Sequence, residues 1–461
     1  MPLLAAFAVP HPPTLPAEML RQGVPTMVQT AAAFATVAQR VRSLQPDVII
    51  LASPHTTLYA DYFHISPGTQ AKGDLTRFGV PDISLSVEYD THLATRLEKA
   101  AREWALPAGM IGDQDVRLDH CALVPLWVLR QAGVQCKVLR IGLSGLSALA
   151  HYQVGQCIAA TVQALDRRAV FIASGDLSHK LSQDSPYGFT TEGKKFDQQI
   201  IAALESADFG TLLTVSPALA ESASECGMRA MQMMAGVLDR KAVKPYLLSY
   251  EAPHGIGYVV AAFSVRGDDA SRAFGDAQLK AHREALIKTK ANEDALVRLA
   301  RASLETFVRT GKRIGVPAGT PPELLHVRSG VFVTLKKDGL LRGCIGTTEP
   351  VAESIAAEAM RNAIAAATND PRYDPVHEDE LDELTYTVDV LTSPERIHSE
   401  ASLDPARYGV IVQNGARRGL LLPNMDGVDS PARQIELARR KAGVNPKEAV
   451  RLYRFEVTRH Q

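Results

Sequence analysis

Disulfide chemistry has little to work with in this sequence. Five cysteines, an odd number scattered over 461 residues, do not make the spaced framework that staples small secreted folds. No uninterrupted apolar run approaches the roughly 18 residues of a membrane-spanning helix. The first residues lack a basic stretch and a small-residue cleavage site, and Leu3–Val9 is too short for the apolar core of a signal peptide. An excess of one charge is missing too. With 50 Lys and Arg against 51 Asp and Glu, the net charge is -1 and no basic block stands out, which argues against a general nucleic-acid binder. Internal repeats and low-complexity tracts are also absent. These exclusions leave an expected soluble, cytoplasmic protein without a membrane or nucleic-acid partner. At this length it has two or three domains, and 46% hydrophobic and 22% charged residues are ordinary globular values.

What is present is a design used three times. Leu3–Val9 leads into Pro10-His11-Pro12-Pro13, Val48–Ala52 into Ser53-Pro54-His55, and Phe171–Ala173 into Ser174-Gly175-Asp176-Leu177-Ser178-His179. Each is a short apolar run, read as a buried strand, followed by a small polar turn and an imidazole. A lone histidine after one strand is more often a turn or core residue than a ligand. Three in equivalent positions point to a shared site, because the C-terminal edge of an open α/β sheet is where its loops converge on a crevice. Further strands are expected at Lys137–Ile141 and Gly257–Val265, with a short one at Pro81–Leu85. Helical patterns lie at Met27–Leu44, His92–Trp104, Leu123–Gln131, His151–Leu165, Gly193–Ala203 and Gly227–Leu238. Strands alternating with helices imply an α/β domain over residues 1–267, a mainly parallel sheet flanked by helices.

A facial iron site needs two neutral imidazoles and one carboxylate, leaving three open positions. His11 and His55 can supply the nitrogens. For the carboxylate, Glu225 lies at a helix start, where Ser222 and Glu225 also have capping-box spacing. Glu251 precedes a strand through a turn. Cys226 is a softer donor that would favour copper or zinc over iron. Spacing alone leaves all three open.

These motifs, together with Leu118-Asp119-His120 and Val124-Pro125-Leu126, resemble in order and spacing those of LigB-type class III extradiol ring-cleavage dioxygenases and the related Memo proteins. The resemblance covers about residues 1–265. It implies that His11, His55 and a later glutamate, best matched by Glu225, hold Fe(II). It also implies that His179 is the acid/base, that His120 contacts the substrate, and that the substrates are a catechol-like aromatic and O2. Memo-like proteins place a cysteine where Cys226 stands. Asp176 could orient a neighbouring imidazole or cap a turn.

Residues 268–292 turn polar and are expected to be a linker. Residues 293–461 read as an α+β domain, with helices at Glu293–Arg309, Val351–Ala366 and Ala432–Ala442 and strands grouped apart from them. Asp338-Gly339 is a strong hairpin signal. Leu340-Leu341-Arg342-Gly343-Cys344-Ile345-Gly346, with Asn369-Asp370-Pro371-Arg372-Tyr373, is similar to the signature of the AMMECR family. Cys344 is a candidate nucleophile, although a small residue buried in a strand is the commoner role. Arg342, Asn369 and Arg372 could bind an anion.

Three functions are therefore in view. The first is an Fe(II) extradiol dioxygenase carrying an AMMECR-like module. The second is a Memo-like copper or zinc redox or modifying protein, which the resemblance pairs with a radical-SAM partner. The third is a binding scaffold without chemistry. Class III enzymes commonly oligomerise, so a homodimer is expected.

Overall fold

A computed structural model describes residues 2–20, 26–114, 117–337, 340–425, 428–446 and 448–461. The chain divides into two compact units, Met1–Ala281 and His282–Gln461.

The first unit is built on six strands: β1 (Leu3–Val9), β2 (Val48–Ser53), β3 (Lys137–Gly142), β4 (Ala169–Ser174), β5 (Lys241–Glu251) and β6 (Tyr258–Asp268). Their order across the sheet is β3-β2-β4-β1-β6-β5. β1 to β4 run parallel, while β6 and β5 add an antiparallel edge. Alternate residues feed two separate cores. Ala6 and Ala8 of β1, Ile50 of β2 and Phe171 of β4 enter one, and Phe7, Leu51 and Ile172 enter the other. A sheet covered on both faces explains why these strands read as unbroken apolar runs. The helices that cover it and bear on the site are α1 (Val28–Leu44), α2 (His120–Gln131), α3 (Ala148–Ala164) and α4 (Met228–Val237).

Register sets up the rim. Val9 pairs with Ser174, and Ser53, one residue past the Ala52–Ala173 pair, pairs with Gly142. His11, His55 and Asp176 each lie two residues beyond the last paired level of three adjacent strands.

Two expectations needed correction. Pro81–Leu85 is the middle of a longer strand, Val80–Glu88, which pairs with Gln70–Leu75 across a 3-10 turn at Thr76–Phe78. Gln70, Lys72 and Asp74 face outward, so the hairpin carries too few apolar residues to be seen in sequence. β5 was missed for a similar reason. It is a half-exposed edge strand containing Lys241, Lys244 and Pro245, and edge strands tolerate both charge and proline.

The stretch expected as a linker holds the end of β6, a turn at Ala270–Arg272 and a helix, α5 (Phe274–Asn292). The second unit contains α6 (Ala295–Thr310), β7 (Val331–Lys337), β8 (Leu340–Gly346), α7 (Ile355–Thr368), β9 (Leu384–Leu391), β10 (Glu395–Ile397), β11 (Gly409–Asn414), β12 (Arg417–Leu421), α8 (Pro431–Ala442), β13 (Arg451–Phe455) and β14 (Val457–His460). Two antiparallel sheets, β8-β7-β9-β14 and β10-β13-β11-β12, make this unit α+β. The Asp338-Gly339 turn lies outside the described residues. Among the described residues no helix is long and apolar enough to cross a membrane.

Candidate metal centre

Five separated segments bring their side chains together at the C-terminal rim of the parallel strands. His11 is 2% exposed. Its ring centroid lies 5.3 Å from those of His55 and His120, and His55 and His120 stack at 5.0 Å. One ligand atom from each of His11, His55, His120 and Cys121 lies within 4.8 Å of the others, and so do those of His11, Asp176 and Cys226.

Hydrogen bonds set what each imidazole offers. The Ser174 hydroxyl donates to the Cys121 carbonyl at 2.7 Å. Its only proton is then used, so at 3.1 Å from His11 Nδ1 it accepts. His11 carries its proton on Nδ1 and turns the Nε2 lone pair inward, 3.6 Å from both Cys226 Sγ and Asp176 Oδ2. His179 Nδ1 donates to the Ser224 carbonyl, leaving its own Nε2 lone pair 4.0 Å from Asp176 Oδ2.

Burial pushes His11 well below the ordinary histidine range, reinforced by His55. His55, though its outer side is exposed, is lowered first by the loss of water around its ring. His120 falls to about 3, through burial and then the two neighbouring imidazoles. All three are neutral at pH 7, the form that binds metals. Burial raises Asp176 to about 6, against the backbone N–H of His11, which donates to Oδ1 at 2.9 Å.

Beneath the rim, Asp119 caps α2 by accepting from Ala122 N–H at 3.0 Å. It also accepts from Ser53 Oγ at 2.6 Å and pairs with Arg140 Nη1 at 3.1 Å. Arg140 lies on β3 and is 2% exposed. This buried pair ties β2, β3 and the start of α2 together below His55 and His120.

A second clamp is backbone. A Cβ on Gly175 would sit 2.0 Å from Gly227 Cα, so only glycine permits the approach. Cys226 N–H and Gly227 N–H then donate to the Asp176 carbonyl at 3.3 and 3.0 Å.

The candidate third ligands now separate. Cys226 faces His11. Glu225 turns away, and its carboxylate accepts from Met228 N–H at the start of α4 at 2.6 Å. The capping box with Ser222 does not form, because the preceding helix ends at Ala223. Glu251, on β5, accepts from Thr30 N–H of α1 at 2.6 Å. Neither glutamate joins the cluster.

Three residues were not visible from sequence as part of the site. Cys121 Sγ lies 3.6 Å from His120 Nε2, and Arg77 lies beside His120 Nδ1. Ser174 was quoted only as part of a motif. The position of Cys121 beside His120 was the one available signal.

In the second unit, Cys344 N–H donates to Asp370 at 2.8 Å and its sulfur accepts from the Thr334 hydroxyl at 3.3 Å. The expected anion cleft is not open. Arg342 makes a two-pronged pair with Glu380 at 2.9 and 2.8 Å, and Arg372 does so with Asp370 at 2.9 and 2.6 Å.

Neutral imidazoles, a thiol and a carboxylate at the rim of a parallel sheet give this α/β protein two groups of donor atoms that could hold a metal ion. Residues 5–261 match the family model described as the catalytic LigB subunit of aromatic ring-opening dioxygenase, and residues 297–460 match that of AMMECR1. The chain belongs to the LigB family and carries an AMMECR1 domain after the LigB domain. A protein of Clostridium acetobutylicum is 35% identical over 470 residues, covering 100% of both chains. One of Thermotoga maritima is 48% identical over 171 residues, 37% of this chain and 98% of that one. A solved Pyrococcus horikoshii structure has 36% identity and a TM-score of 0.34 over 36% of this chain and 88% of that one.

Proposed function

We propose that the N-terminal unit is a metal-dependent oxidoreductase of the ring-cleavage dioxygenase type. It acts on a catechol-like aromatic with dioxygen and uses Fe(II) held at His11, which shares one group of nearby donors with His55 and the other with Asp176 and Cys226. The observation that carries this is the gathering of three imidazoles at ring-centroid separations of 5.0–5.3 Å. The donor set fits an ion. Two ligands on one metal, with bonds of about 2.0–2.3 Å, stand roughly 3.5 Å apart, and His11 Nε2 lies 3.6 Å from Cys226 Sγ. Bound there, ferrous iron would supply open positions for a catechol's oxygens and for O2.

The chain's own groups supply the rest. The His179 Nε2 lone pair is the acceptor for a ring hydroxyl proton, and Asp176, 4.0 Å away, stabilises the imidazolium so formed. The Tyr187 ring, 5.0 Å from His179, and the Phe78 ring, 4.8 Å from His120, offer flat apolar faces to an aromatic guest. The test is to load the protein anaerobically with iron and admit air with a panel of catechols. Yellow ring-opened products are expected, and no turnover across the panel would overturn the proposal.

Cys226 favours a second reading, because a thiolate prefers copper or zinc. The unit would then be a redox or modifying protein, working with a radical-SAM partner through the C-terminal domain. Metal analysis of protein as isolated separates the two. Tightly held copper or zinc that Cys226→Ser releases, with no ring opening by the iron-loaded form, selects the second.

A further inference from the structure

We infer that Arg77 is a positioning residue that fixes the His120 ring as its Nε2–H tautomer. His120 then acts as a hydrogen-bond donor to an anionic oxygen in the site and does not serve as a metal ligand. The identity of that oxygen rests on the proposed metal enzyme. The tautomer does not.

The argument is one of donors and acceptors. Arg77 Nη2 lies 3.2 Å from His120 Nδ1. A guanidinium has five N–H groups, no lone pair to offer, and does not deprotonate in proteins, so it can only donate. His120 Nδ1 must accept, and in a neutral imidazole the proton then sits on Nε2. That nitrogen is the one turned towards Cys121 Sγ, at 3.6 Å. His11 and His179 have the opposite arrangement, each giving its Nδ1 proton to an oxygen outside the cluster and turning a lone pair inward. Three neighbouring imidazoles are therefore not equivalent. Two offer lone pairs and one offers an N–H.

The local structure holds Arg77 to this task. It lies in the 3-10 turn Thr76–Phe78 at the tip of the hairpin. Asp74 accepts from Thr76 N–H at 2.9 Å at one end of the turn, and Gly79 N–H returns to the Thr76 carbonyl at 3.0 Å at the other. The guanidinium carbon lies 4.6 Å from the Phe78 ring centroid, and Phe78 packs 4.8 Å from His120. Cation, aromatic ring and imidazole pack against one another, with the two rings tilted by 50°.

The chemical consequence is a division of labour. A neutral His120 does not give up its Nε2 proton, since that would leave an imidazolate. It stabilises developing negative charge by donating a hydrogen bond, while the proton itself moves to His179.

The test uses the full-length chain with 15N-labelled histidine, where long-range correlation spectra distinguish protonated from bare ring nitrogens. Loss of a signal set in His120→Gln identifies the residue. The expected result is Nε2–H with bare Nδ1, unchanged when Zn2+ is added. Arg77→Met is expected to shift His120 to Nδ1–H or to mixed tautomers, whereas Arg77→Lys, still only a donor, keeps the original form. Nδ1–H in the parent protein, ligation of His120 by Zn2+, or an Arg77→Met spectrum identical to the parent would each overturn the inference. If iron-loaded protein opens no catechol, the dioxygenase proposal fails while these spectra stand. If it does, Arg77→Met should lower kcat about tenfold with little change in KM, and Arg77→Lys should restore most of it.

Discussion

At the rim of the N-terminal sheet, polar groups face one another with lone pairs left over, whereas around Cys344 each charge already has its counter-charge. His11 and His179 keep inward lone pairs beside Asp176 and Cys226, while Arg342 and Arg372 are closed off by Glu380 and Asp370. Both regions collected reactive-looking residues in the sequence. The difference is that the first gathers imidazole, thiol and carboxylate donor atoms that could hold an ion, which favours a guest. The second fills its capacity from within and reads as a braced loop around a strand.

The contrast can be broken most forcefully at Arg140. Arg140→Met should leave Asp119 buried without its cation and cost about 3–5 kcal/mol, read as a lower denaturant midpoint, with weaker metal binding. A loss below about 1 kcal/mol would mean that the pair does not hold the rim.

Acid should sharpen the contrast, because the two units bury carboxylates with opposite sign. Asp197, on the helix Thr191–Ser206, is raised to about 6 by burial, against hydrogen bonds from Tyr250 and Ser178 N–H. A raised folded value means stability present below the unfolded value, near 3.8, and lost as pH rises through 6. Lowering pH from 7 to 4 should thus gain about 2–3 kcal/mol from this group, and Asp197→Asn should flatten that part of the pH profile. Asp370 is held below the usual carboxylate range, chiefly by Arg372. Its contribution is present above the unfolded value and lost as pH falls further. Unfolding of the C-terminal unit near pH 3, followed through its own probe, should show this loss, and Asp370→Asn should remove it.

The smallest expected effect is Arg342→Lys. Trading a two-pronged contact with Glu380 for a point charge should cost about 1 kcal/mol or less without altering metal content. A change in bound metal would show that the C-terminal charges serve the N-terminal site.

Much of the scaffold was legible in the amino acids. Leu3–Val9, Val48–Ala52 and Phe171–Ala173 read as buried strands, and each announced a polar turn and an imidazole beyond its end. Legibility failed where burial was partial, as at β5 and in the hairpin carrying Arg77, because half-exposed strands follow their neighbours more than their own pattern. The roles of Glu225 and Cys226 were equally out of reach. Adjacent residues before a helix point in different directions, and only the packing of Gly227 against Gly175 turns the thiol inward and the carboxylate onto Met228 N–H.

By itself the chain determined which residue types stand at the ends of parallel strands, since apolar periodicity is a local property. Which of them share a site, and which nitrogen of each imidazole faces it, was decided by partners 43 to 215 positions away in the chain. Hydrogen-bond direction depends on what lies across the space, and that exists only once the chain has folded.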